Sequence, residues 1–194
     1  YEKEEAEKSG AHFRRDPGME NMAMVLRKEM PLHLHVHRSD DICTAIRIAK
    51  EYDIRLVLVH CTDGIAVADY VAASGFPAII GPSINPCSKQ EVWNKTFETA
   101  GVLNRAGVKV CITADHDVTP LYYLPIYAAM AVRFGMDDAE ALRAVTSYPA
   151  EILGIDDRKG VLASGKDADI VIWSHHPFDI HAQAEYVFIE GKRK

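Results

Sequence analysis

Short apolar runs with period two and longer stretches with a helical beat alternate along this chain. Leu32, Leu34 and Val36 interleave with His33, His35 and His37. On a strand those two sets face opposite ways, so one side is apolar and the other carries three imidazoles. Ile42, Ala45, Ile46 and Ala49 then fall at i, i+3, i+4 and i+7, a helical stripe on a segment that Asp40 is placed to cap and that runs to about Tyr52. Leu56 to Val59 reads as a second strand; Asp63 or Gly64 opens the next helix, which Gly75 ends. Pro77 to Ile80 predicts a third strand, followed by a polar loop through Asn85, Pro86 and Lys89. A helix over about 97–106 leads through Gly107 into a fourth strand over 109–114. Upstream, helical periodicity covers Met19 to Lys28, and Pro31 starts the first strand. The order β-α-β-α-β-loop-α-β, with short apolar strands, calls for a parallel sheet with helices outside it.

Two more helices are expected, roughly 121–134 and 137–147, the second capped by Asp137. The texture then changes. Residues 160–173 and 184–191 are short β segments separated by turn residues, which predicts a small antiparallel sheet.

Composition narrows the possibilities. The 194 residues give room for one sizeable core and a small second module. A net charge of −6 without a Lys/Arg cluster disfavours a nucleic-acid partner. No apolar run approaches the ~20 residues of a spanning helix and no signal peptide is evident, so a cytoplasmic protein without a membrane partner is expected. Cys43, Cys61, Cys87 and Cys111 are far apart and read as reduced thiols rather than a disulfide framework. Cys61, beside His60, reads as a buried neutral thiol before it reads as a ligand. The start at Tyr1 in a charged helical stretch gives the expectation of a fragment or processed product.

In parallel β/α architectures reactive groups gather at the carboxyl ends of strands. His35 and His37 end the first strand, His60 the second, and Asp115 the fourth. Two imidazoles and a carboxylate form a ligand set suited to zinc, manganese or iron. Water bound to such a metal becomes a nucleophile near neutral pH, and Asp115 has the chemistry of both ligand and general base. A lone strand-end histidine is more often a satisfied polar residue; several on neighbouring strands reverse that weighting. His33, deeper in its strand, is expected to be a hydrogen-bonded interior residue. Arg38 is a helix-start residue or a binder of a substrate carboxylate. His116 and Asp117 either support a ligand from behind or cap a loop. Asp63 and Asn85 are pocket-loop candidates, and His175, His176 and His181 fit a solvated turn.

Those residues carry a resemblance. His35-Val-His-Arg-Ser-Asp-Asp-Ile-Cys-Thr-Ala-Ile-Arg-Ile-Ala49, Leu58-Val-His-Cys-Thr-Asp-Gly64 and Ile112-Thr-Ala-Asp-His116 resemble the C-terminal half of the amidohydrolase superfamily, in the branch related to imidazolonepropionase. The likeness continues through Thr146–Gly154 and Gly160–Trp173, the latter the most specific motif, and spans almost everything from Pro31 to Lys194. It implies an α/β fold: the C-terminal half of a TIM-like (β/α)8 barrel, strands five to eight over 31–116, followed by part of a small β-sandwich. The implied domains are a partial barrel over 1–155 and the C-terminal share of the sandwich over 156–194. By position, His35 matches the strand-five metal ligand, His60 the strand-six histidine, assigned both to the metal and to catalysis, and Asp115 the strand-eight aspartate that binds metal and acts as base. His37 has no universal counterpart and is assigned, with Arg38 and His116, to substrate binding. The implied cofactor is a divalent metal, zinc before manganese or iron. The implied reaction is hydrolysis of a C–N bond in a cyclic or linear amide, with a small-molecule substrate.

The family's first-strand His-x-His pair and its strand-four lysine or glutamate are not found here. Half a barrel exposes two strand edges, so pairing with a missing N-terminal half or with another copy is expected. Two competing readings remain: a non-catalytic half-barrel that self-associates and whose histidines are structural, and a lyase or isomerase using the same ligands.

Overall fold

Residues 2–10, 12 and 15–194 are described by a computed structural model of the chain. The four apolar runs become four strands, β1 (Leu32–Val36), β2 (Leu56–His60), β3 (Ala78–Ile80) and β4 (Val110–Ile112), paired in parallel in sequence order. A parallel pair needs a crossover, and helices supply each one; that between β3 and β4 begins with a long loop before its helix. The helices are α1 (Glu2–Ser9), α2 (Pro17–Leu26), α3 (Ser39–Glu51), α4 (Ala68–Ser74), α5 (Glu98–Arg105), α6 (Leu124–Arg133), α7 (Asp138–Ala144) and α8 (Ser147–Leu153). No helix among the described residues is long and apolar enough to cross a membrane.

The core lies between the sheet and the helices. Ile42 and Ile46 of α3, Leu56 and Leu58 of β2, Leu103 of α5 and Val110 of β4 are fully buried together. Each such side chain contributes about 1.5–3 kcal/mol by leaving water. In β1 only the apolar set faces this core: Val36 is buried and Leu32 and Leu34 are packed against it, while His33 and His35 are exposed. The expectation of an interior, hydrogen-bonded His33 is therefore corrected. Helices cover the other face of this edge strand, and His33 has no hydrogen-bond partner among the described residues.

Capping follows local rules in places and tertiary ones elsewhere. Asp16 accepts from the backbone of Gly18 and Met19 to start α2, and Asp137 accepts from Glu140 N to start α7, as expected for that residue. Asp40, in contrast, does not cap α3. It lies inside the first turn, paired with Arg38, and the carboxylate that accepts from Ser39 N (3.3 Å) belongs to Asp63, beyond β2. The segments before α4 and α6 open as 3-10 turns, Gly64–Val67 and Leu121–Tyr123. The single helix expected over 137–147 ends early. The Thr146 hydroxyl bonds back to Leu142 O (2.7 Å), and the chain restarts as α8, which Gly154 closes in the left-handed conformation.

β5 (Ile170–Trp173), β6 (Ala184–Ile189) and β7 (Lys192–Arg193) form the antiparallel sheet. Phe178, between β5 and β6, packs against the main core, and His176 lies 3.4 Å from Asp138 at the start of α7. His175, His176 and His181 are exposed, as a solvated turn requires.

At the upper end of β3 the backbone closes on itself tightly. Gly81 has φ +123°, and a Cβ there would stand 2.3 Å from the Thr113 carbonyl oxygen at the end of β4. Gly81→Ala is accordingly expected to cost roughly 3 kcal/mol through this clash and the φ it forces. A chemical-denaturation midpoint equal to that of the parent would contradict this close approach.

Candidate metal centre

The pleat alone would send the His60 ring the wrong way. In register His60 lies between Val36 and Ile80, both buried against the helices, two positions on from buried Leu58. Instead the backbone turns left-handed at His60 (φ +76°) and Cys61 (φ +46°). Such angles cost non-glycine residues about 1–3 kcal/mol each. The turn brings the His60 ring to 4.3 Å from His35 and 4.9 Å from His37, centroid to centroid. His60 Nδ1 then lies 2.6 Å from the Gly81 carbonyl oxygen. A carbonyl only accepts, so Nδ1 carries the proton and Nε2 keeps the lone pair.

The loop that makes this turn is tied to its neighbours. Cys61 N donates to Val36 O (2.9 Å) and Asp63 N to His37 O (2.8 Å). The two Asp63 carboxylate oxygens accept from Ser39 N and from Asn94 Nδ2 (3.0 Å), joining the segments after β1, β2 and β3. Asp63 thus holds loops together and does not line the cavity.

His35 and His37 arrive from β1 by simple alternation. Their Nε2 atoms are 2.9 Å apart, and His37 Nδ1 is 2.7 Å from the hydroxyl of buried Thr62. One ring nitrogen each of His35, His37 and His60 lies within 4.8 Å of the others. The edge of a tetrahedral nitrogen site with Zn–N bonds of about 2.0–2.1 Å is about 3.3 Å, so these separations straddle what one ion needs. Burial, followed by the neighbouring His60 and His35, pushes the His37 imidazole down to about 4. His35 is lowered too, by burial first and by His60 next, with Asp115 opposing. Neutral imidazole is the form that binds metal. Cys61 is buried with its thiol pushed up to about 12, a protonated packing residue.

The three rings open into a cavity of about 270 Å³. Asp115 is in its wall, on left-handed backbone (φ +51°) held by a bond from its N–H to Thr113 Oγ1 (3.0 Å). Its carboxylate makes no hydrogen bond among the described residues and lies outside the three-imidazole group. Asn85 lines the cavity as well and accepts from Lys95 Nζ through both its carbonyl oxygens, at 2.6 and 2.5 Å. The structure therefore brings His35, His37, His60 and Asp115 to one cavity. It does not bring Arg38 there, whose guanidinium is engaged by Asp40 at 2.9 and 3.1 Å, nor His116, which is exposed. Sequence reasoning passed over Thr62 and Lys95. Thr62 sits two residues after His60 in a His-Cys-Thr-Asp run, whereas nothing local marks Lys95.

Parallel strands here carry histidines and an aspartate at their carboxyl ends, and comparison with known proteins names the family. The family model described as the amidohydrolase family matches residues 18–193. The chain belongs to the amidohydrolase family, and its likeness runs to the imidazolonepropionase-related branch. It is 29% identical over 165 residues to an imidazolonepropionase of Paracidovorax citrulli, covering 82% of this chain and 37% of that protein. It is 24% identical to the amidohydrolase tasK of Hapsidospora irregularis, covering 89% of this chain and 18% of that one. A crystal structure of an amidohydrolase from Thermotoga maritima superposes with a TM-score of 0.91 at 41% identity, over 99% of this chain and 50% of that one. A zinc-bound adenosine deaminase from Xanthomonas campestris gives 0.66 at 26%, covering 93% and 49%. The chain thus spans about half the length of those solved structures.

Because the folded state holds His37 neutral down to about 4 while an unfolded imidazole protonates near 6.5, the unfolded chain binds more protons between those values. Stability of the metal-free chain is expected to be full above about pH 6.5 and to fall as pH drops toward 4. His37→Asn should flatten that slope in denaturant titrations at pH 7.5 and 4.5; an unchanged slope would contradict the assignment.

Proposed function

We propose that this chain is the metal-binding C-terminal half of an amidohydrolase that cleaves C–N bonds in small cyclic or linear amides. The observation that carries the reading is the convergence of three imidazoles at the carboxyl ends of parallel strands, in a cavity that also holds Asp115. In this reading the four strands are strands five to eight of a (β/α)8 barrel. Residues 1–155 belong to the barrel, and 156–194 give the sandwich its C-terminal share. The outer edges of β1 and β4, unpaired among the described residues, and the 50% coverage of the Thermotoga structure support completion by a second half that carries the His-x-His pair.

His35 and His60 hold a divalent cation, zinc before manganese or iron, a choice supported by the all-nitrogen donors and the zinc-bound neighbour. When bound, the cation supplies Lewis acidity and brings the pKa of water toward neutrality. Asp115, a ligand by family position, has unengaged carboxylate oxygens with which to take up a proton in the cavity and return it to the leaving nitrogen. His60 is fixed in one tautomer by Gly81 O, so it does not exchange that proton at Nδ1. Lys95 places a positive charge in the wall without a carboxylate partner among the described residues, which favours substrates with an anionic group. The cavity suits a small molecule. Four free cysteines support a reducing, cytoplasmic setting. The exposed sheet edges also favour a second reading, self-association without catalysis.

The test is co-expression with a complementary half taken from a relative, followed by a screen of cyclic amides and deaminase-type substrates. Asp115→Asn should lower kcat by about 10²–10⁴-fold while retaining most of the metal, and His35→Ala should lose both. Labelled oxygen from water should appear in the product. Undiminished turnover by both variants would refute the assignment, and turnover without water incorporation would point to a lyase or isomerase.

A further inference from the structure

The three imidazoles are not equivalent in how they are held, and the difference assigns a role to His37. Its Nδ1 is 2.7 Å from Thr62 Oγ1, and Thr62, 7% exposed, makes no other side-chain hydrogen bond among the described residues. The arrangement parallels His60, whose Nδ1 is fixed by Gly81 O at 2.6 Å. In both rings one nitrogen is engaged from behind and the other is turned to the common point. His33 shows that this is no automatic result of strand alternation: it shares the face, two residues before His35, and has no hydrogen-bond partner among the described residues.

A histidine that ligates a metal characteristically donates its remote N–H to a fixed acceptor, which sets the tautomer and ring orientation. A substrate-binding imidazole would direct its free nitrogen at the open cavity. His37 Nε2 instead stands 2.9 Å from His35 Nε2, the distance of two donors to one ion or of a single N–H···N bond between two neutral rings.

We propose that His37, clamped by Thr62, is the third protein ligand of the cation, so that this chain binds a divalent metal with His35, His37 and His60 alone. The proposal rests on the preceding reading that the site takes such a cation. It replaces the expectation of a substrate-binding His37. Three neutral imidazoles favour zinc over magnesium or calcium and leave a fourth position for water or substrate. The donors that the relatives' N-terminal half would add are then unnecessary for the first metal.

The experiment titrates this 194-residue chain with zinc chloride against a chromophoric chelator. In parallel, imidazole nitrogen shifts of the ¹⁵N-labelled chain are followed by NMR. The parent should bind one equivalent, and the ring nitrogens of His35, His37 and His60 should move together, leaving His33 in place. His33→Ala should bind as the parent does. His37→Asn should bind at least about 100-fold more weakly, Thr62→Val about 10-fold more weakly, and Thr62→Ser close to the parent, since it keeps the hydroxyl. Circular dichroism in chelator checks that the variants are folded; if His37→Asn is not, the Thr62 pair and the parent's shifts decide. Parental affinity in His37→Asn, with loss in His35→Asn, would overturn the role of His37 and leave the metal site standing. No zinc uptake by the parent would overturn both.

Discussion

One hydrogen bond organises the site: the proton on His60 Nδ1 given to the carbonyl of Gly81. It spans adjacent strands at their carboxyl ends and gives a left-handed His60 a fixed partner. It also requires Gly81 to sit where only glycine fits, with φ +123° against the Thr113 carbonyl. Thr113 N in turn donates to Ile80 O (2.9 Å), so the ends of β2, β3 and β4 are fixed as a unit. The lone pair left on His60 Nε2 is a consequence of this arrangement, as is the closeness of its ring to His35 and His37.

Left-handed backbone recurs at His60, Cys61 and Asp115, all within the candidate site. Three such residues together cost several kcal/mol at about 1–3 kcal/mol each. The buried face of the sheet offsets that cost: Leu56, Leu58 and Val110 sit under α3 and α5 at almost no exposure. The strands below are apolar and regular, and at their carboxyl ends the irregular backbone of the site is held by loops that Asp63 ties across. Placing strain at a site and stability beneath it is the division of labour expected of a parallel β/α scaffold.

What was legible in the sequence followed from short-range periodicity. Alternation placed His35 on the open face of β1 and its ring beside that of His37 just past the strand, and the helical stripe Ile42, Ala45, Ile46, Ala49 is the buried face of α3. The same alternation misplaces His60, because a positive φ reverses its side chain and no local residue pattern announces it. Asp137 caps its helix, a bond over three residues, whereas Asp40 yields that task to Asp63, 24 residues from Ser39. Thr62 was invisible for the same reason: its partner is 25 residues away. His33 was misread as interior because the period fixes which face a side chain takes, not what covers that face. The family resemblance supplied roles for His35, His60 and Asp115 by position. The proposal adds His37, for which the resemblance offered no counterpart.

The central claim is that these strand ends form one cation site built on nitrogen. The most direct measurement is a crystal of the chain soaked in zinc, with anomalous data collected at the zinc edge. The account predicts a single strong peak about 2.0–2.1 Å from ring nitrogens of His35, His37 and His60, with Gly81 O still on His60 Nδ1. A map empty at that point, or with its zinc only at the exposed His175 and His181, would contradict it.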